Sequence, residues 1–162
     1  MSMKMVSPLE VGLGVRDLHR MRTFYEKVLG CQFVSEMSVP ADKARLAGLS
    51  EGGYVVVRLQ TAFGERIKLL ASQDPAQAAT MHGGPILAQT NAFYLTFIVD
   101  DISAAIERLQ AHEVEFLTGS SRVEVRPGTF LSFCRDPEGN VLELVQYADI
   151  RGYRSDLKNG DE

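Results

Sequence analysis

The chain has 162 residues, 45% of them hydrophobic and 23% charged, enough for one ordinary domain or for two modules sharing a core. Seventeen basic and 21 acidic residues give a net charge of −4 with no Lys/Arg run, which sets a nucleic-acid binder, with its basic footprint for the phosphates, far behind. The longest uncharged stretch, residues 75–99, is interrupted by Gly83, Gly84, Pro85, Gln89 and Asn91 and makes a poor membrane span, and the start MSMKMVSPLE lacks the apolar core of a secretory signal.

In chain order, the first element is an alternating segment from Leu9 to Val15, which the period of two predicts as a strand. Asp17 follows at a position suited to a helix N-cap, and Leu18, Met21, Phe24, Tyr25 and Val28 continue at helical spacing. Strands are predicted over 32–36, 54–61 and 66–71. Pro, Gly, Gln and Ala then accumulate in a linker over 72–90. A second alternating strand begins at Phe93, Asp101 opens a second helix through Ile102, Ala105, Ile106 and Leu109, and strands are predicted over 115–118 running on towards 126, 129–135 and 141–147. Between the last two, Asp136-Pro137-Glu138-Gly139-Asn140 reads as a hairpin turn, with Pro pre-setting φ and Gly tolerating the positive φ that follows. The polar tail from Ala148 is expected to be loosely held.

The two halves repeat one another. LEVGLGVRDLHRMRTFYEKV and FYLTFIVDDISAAIERLQAH share the alternating strand, the Val-x-Asp step and the helical pattern, and Val15/Val99 and Asp17/Asp101 are each 84 residues apart. Alternation puts Leu9, Val11, Leu13 and Val15, and likewise Phe93, Leu95, Phe97 and Val99, on one apolar face with Ile67, Leu69, Leu142 and Leu144. The opposite face carries Glu10, Gly12, Gly14, Lys68 and Leu70 in the first half, and Tyr94, Thr96, Ile98, Val141, Glu143 and Val145 in the second. Ionisable groups in mid-strand imply water, mutual pairing or a ligand. The two glycines leave room for a ligand on one reading and mark a bulge or strand twist on the other.

This organisation resembles the vicinal oxygen chelate superfamily, which includes glyoxalases, extradiol dioxygenases, epimerases and bleomycin-binding proteins. The motifs that carry the resemblance are VRDLHRMRTFYEKVLG, FIVDDISAAIERL and FCRDPEGNVLELVQ, across roughly residues 9–147. It implies an α+β fold: two tandem βαβββ modules forming a curled mixed-sheet cleft, with helices on the convex face. The expected organisation is one domain over 1–162, with module one at 7–71, a linker at 72–90, module two at 91–147 and a polar tail at 148–162.

In metal-dependent relatives four side chains on four strands hold a divalent cation, and the matching positions here are Glu10, Lys68, Tyr94 and Glu143. Glu143 fits that pattern, and Glu10 and Tyr94 offer oxygen donors. An ammonium has no lone pair and is repelled by a cation, so Lys68 breaks the set. No cofactor is therefore expected, with a divalent metal on Glu10, Tyr94 and Glu143 as the alternative. His19 and His112 fall on predicted helices where exposure is expected, and His82 lies in the linker, able to reach the cleft only if that loop folds over it.

We expect Lys68 to stand in for the metal's charge between Glu10 and Glu143, an ion-pair relic being the bland alternative. The favoured function is a lyase- or isomerase-type enzyme. Lys68 stabilises an enolate, Glu10 or Glu143 removes a proton α to a carbonyl, and Tyr94 donates one. The alternative is a metal-free binding or sequestration protein for a drug or metabolite. Partners are expected to be a small molecule and a second copy in a homodimer, with no nucleic acid and no membrane. Cys31 and Cys134 suit reduced packing thiols in a cytoplasmic protein.

Overall fold

Each sequence repeat folds as a βαβββ unit, and the chain divides into two compact units, Met1–Met81 and His82–Glu162. The computed structural model describes residues 3–74, 85–88, 90–119 and 121–157. In the first unit β1 (Glu10–Val15) leads into α1 (Leu18–Thr23), which continues as one π-helical turn, Phe24–Val28. β2 (Gln32–Val39), α2 (Ala41–Leu46), β3 (Tyr54–Gln60) and β4 (Arg66–Ser72) complete it. In the second unit β5 (Tyr94–Ile98) and α3 (Ile102–Gln110) are followed by β6 (Val123–Arg126), β7 (Thr129–Arg135), β8 (Val141–Gln146) and α4 (Ile150–Tyr153).

Strand order is the same in both units: β1-β4-β3-β2 and β5-β8-β7-β6. The first strand of each lies parallel to the last, because the intervening helix crosses over the sheet, and the other pairs are antiparallel. The anticipated caps form. Asp17 accepts from Arg20 N at 2.9 Å and Asp101 from Ala104 N at 3.0 Å, each satisfying a donor that a helix start leaves unpaired.

The helix in each unit covers one face of its sheet. Met21, Phe24, Tyr25 and Val28 are buried with Leu13, Val15, Val57 and Leu69, and α1 packs on β4. Ile102, Ile106 and Leu109 are buried with Cys134, Leu142 and Leu144, and α3 packs on β7 and β8. Each such aliphatic side chain contributes about 1.5–3 kcal/mol on burial. Two expected members of this face depart from it: Leu9 and Phe93 are 66% and 56% exposed because each lies just before its strand begins. Val145, expected on the mixed face, is 4% exposed.

The Asp136 turn explains the most specific motif. The Asp136 carboxylate accepts from the backbone N–H groups of Glu138 and Asn140 and from Asn140 Nδ2, at 2.7–3.0 Å, and Gly139 takes φ +92°. That pins the β7–β8 register and so the position of Glu143 opposite Phe133.

Three local features differ from the sequence reading. ADKARL after Pro40 forms α2, whose six residues are too short for a periodic pattern to announce. Residues 115–118 give only an isolated bridge, Phe116 to Cys134, and the strand proper starts at Val123. The tail is not loose over Ile150–Tyr153: Asp149 caps α4 by accepting from Gly152 N, and Tyr153 stacks on Tyr147 with ring centroids 3.9 Å apart. His82 and most of the expected linker lie outside the described residues.

Candidate functional site

In the first unit, β-sheet register decides which side chains share the face that α1 leaves open. Glu10 stands opposite Arg66, Gly12 opposite Lys68, and Lys68 opposite Arg58. The Glu10 carboxylate bridges two cations, with Oε1 3.7 Å from Arg66 Nη1 and Oε2 3.8 Å from Lys68 Nζ. Side-chain exposures of 33–38% leave all three groups partly wet, so each pair is worth only about 0–1 kcal/mol to stability. Arg66 is held further by Gln60 Oε1 at 3.0 Å.

Neither glycine marks a bulge, since the β1–β4 register runs without a shift from Glu10 to Val15. A Cβ on Gly12 would lie 3.1 Å from Leu70 Cδ1 and 3.9 Å from Lys68 Cε, so the bare backbone there accommodates the side chains that lean across from β4. A Cβ on Gly14 would meet nothing within 4 Å, so open space lies above it.

In the second unit the corresponding row is Thr96, Glu143 and Phe133. Thr96 Oγ1 donates to Glu143 Oε2 at 2.6 Å, and Tyr94 packs edge-on against Phe133 with ring centroids 5.2 Å apart. Tyr147, just beyond β8, has its phenol pushed up to about 12, chiefly by hydrogen bonding with Tyr153, then by partial burial and by negative charge on Tyr153 and Glu143. Arg135 shares this face but is engaged elsewhere: Nη1 donates to Gly139 O at 2.9 Å and Nε lies 3.6 Å from Glu115.

The predicted residues thus fall into two sets, Glu10 with Lys68 on the first sheet and Tyr94 with Glu143 on the second. Arg58 and Arg66 were missed. Alternation alone puts Arg58 in phase with Val56 and Gln60, but its place beside Lys68 depends on the β3–β4 register, which spans a turn the sequence does not pin. His19 and His112 are exposed, as expected. Cys31 and Cys134 are free and buried, and burial pushes their thiols up to about 11 and about 12.

Divalent metals are common in proteins of this architecture, and the donor chemistry here does not fit one. Lys68 on β4 offers an ammonium, which has no lone pair, and the Glu10 carboxylate faces two cations. Among the described residues no three His, Cys, Asp or Glu side chains group as a metal site requires.

A duplicated βαβββ α+β protein with charged side chains in mid-strand is the class that the fold and these faces define. The family model described as the Glyoxalase/Bleomycin resistance protein/Dioxygenase superfamily matches residues 7–144, and the chain belongs to that superfamily. Among solved structures, it is similar to a glyoxalase family protein from Bacillus cereus, at 23% identity and TM-score 0.75, covering 88% of this chain and 95% of that one. Similarity to the trypanothione-dependent glyoxalase I of Leishmania major is 19% in identity with TM-score 0.66, over 94% of both chains. For glyoxalase I from Zea mays the values are 20% and 0.63, over 88% of this chain and 45% of that one. Likenesses at these identities establish the fold. A search of curated proteins returns no match.

Proposed function

We propose that this protein is a metal-independent lyase or isomerase acting on a small carbonyl compound through an enolate-like intermediate. The observation that carries the reading is Lys68, an ammonium at a metal-ligand position of the superfamily, with its Nζ 3.8 Å from Glu10. Lys68 supplies the positive charge that stabilises the developing oxyanion, and Glu10 positions it. Glu143, whose described partner is the neutral Thr96 hydroxyl, takes the proton α to the carbonyl, and Tyr94 returns one. The catalytic set is therefore Glu10, Lys68, Tyr94 and Glu143.

The test is α-proton exchange. Small carbonyl compounds incubated with the protein in D2O should lose α-proton NMR signal in the wild type and not in Lys68→Ala or Glu143→Ala. Elemental analysis on the same preparation is expected to find no stoichiometric metal. A full complement that Glu143→Ala removes overturns the metal-independent reading.

A second reading, binding without turnover, is favoured by the cation excess around Glu10, which suits holding an anion as well as polarising one. Saturation at one ligand per site without product selects it. We further propose a cytoplasmic homodimer. The two free, buried thiols suit a reducing compartment, and edge strand β2 exposes Phe33, Val34 and Met37 along its eight residues. Light scattering on the purified protein tests the dimer.

A further inference from the structure

We infer that the first sheet carries an oxyanion-binding site centred on Arg58, so that the small molecule handled by this protein is a carboxylate or a phosphate. The inference rests on the functional reading above only in taking the ligand to be a small molecule, and it names that ligand's chemical class.

The argument begins with charge. Although the whole chain carries −4, the open face of the first sheet holds three cations, Arg58, Arg66 and Lys68, and one carboxylate, Glu10, for a formal charge of +2. The matching face of the second sheet sets Glu143 against Arg135 and Arg126, the latter over the Tyr147 ring, for a formal charge of +1. The excess is larger on the first sheet.

Partners locate it further. Glu10 spends both oxygens on Arg66 and Lys68. Arg58 has, among the described residues, one hydrogen-bond acceptor, the Met37 thioether, at 3.3 Å. Sulfur is a weak acceptor, and a guanidinium has five donors in a planar fork that matches a carboxylate or phosphate edge. Arg58 stands in mid-strand and is only partly buried, with its contact to Met37 in the exposed part of the face, so the rest of its fork is open to an incoming anion.

Register then sets what an anion would meet. Arg58 and Lys68 are directly opposed on antiparallel strands, where Cα atoms lie about 4.5–5.5 Å apart and both side chains rise from the same face. Lys68 leans over Gly12 towards Glu10 on the β1 side, and Arg58 turns to Met37 on the β2 side, so the two cationic heads splay apart along the row. An oxyanion taken by the Arg58 fork is held on the β2 side, within the positive field of the row rather than against the Lys68 ammonium.

Isothermal titration calorimetry with malonate, pyruvate and inorganic phosphate, and tetramethylammonium as the cation control, tests the site. The anions are expected to saturate one site per chain and the cation to show none. Arg58→Gln should weaken binding by about tenfold or more, as loss of a charge-assisted fork implies. Arg58→Lys, which keeps the charge without the fork, should fall between. Lys43→Gln on α2 should bind as the wild type does, and circular dichroism confirms that each variant is folded.

Tighter binding of malonate and pyruvate identifies a carboxylate ligand, and tighter binding of phosphate a phosphorylated one. Absence of saturable binding by all three anions, or unchanged affinity in folded Arg58→Gln, overturns the inference. Calorimetry reads binding without turnover, so a protein that binds these anions yet exchanges no α-protons removes the enzymatic reading and leaves the oxyanion site standing.

Discussion

The two sheets of this protein share strand order and register, and they present different chemistry. Where the first has Gly12, Lys68 and Arg58 in one row, the second has Thr96, Glu143 and Phe133. One row is cationic with bare backbone at its edge, and the other is a hydrogen-bonded carboxylate beside an aromatic pair. Beneath both rows the covered faces are alike, with Leu69 and Leu142 each fully buried under a helix that an Asp caps. The buried face answers to packing, which tolerates little change in volume. The open face is free of that constraint, so the two modules share the first and differ in the second.

The largest expected effect separates the open faces. Lys68→Ala should lower kcat for α-proton exchange by about 10²–10³-fold, the scale of losing one preorganised oxyanion donor, with little change in melting temperature. The ion pair it breaks is partly exposed, so a large stability loss would show that Lys68 is structural. Next come the covered faces. Leu69→Ala and Leu142→Ala should each cost about 2–5 kcal/mol in denaturant unfolding, since both sites are closed to solvent. Clearly unequal costs would break the equivalence of the two cores.

Smaller effects test the repeated caps. Asp17→Ala and Asp101→Ala should each lose about 1 kcal/mol, measured in the same way. A last test concerns the two thiols, one in each unit, and acts only at alkaline pH. Both are raised above their ordinary value of 9.0 by burial, so the native state keeps its thiol protons where the unfolded state has lost them. Their contribution to stability is complete below about pH 9 and is lost as pH rises through about 11 and 12. Cys134→Ala should flatten that alkaline decline, read from unfolding midpoints across the range. Neither native thiol should react with a disulfide reagent at neutral pH until the protein unfolds.

Much of this was legible in the linear chain because the information is local or periodic. The repeat, the Asp caps, the Asp136 turn and the apolar faces depend on spacings of two to five residues, which strand and helix geometry convert directly into contacts. The superfamily followed from motifs of that kind. Other features resist such a reading. α2 is too short for periodicity to reveal, and the exposure of Leu9 and Phe93 turns on where a strand starts by a single residue.

By itself, then, the sequence determined two βαβββ units and put Glu10, Lys68, Tyr94 and Glu143 on their open faces. Only the tertiary structure decided who stands beside whom. That Arg58 lies across from Lys68, that Glu10 spans Arg66 and Lys68, and that Thr96 holds Glu143 all depend on hydrogen-bonded register between strands distant along the chain. A slip of one residue would turn each of these side chains to the opposite face, and the burial of the helix-covered side is what forbids the slip.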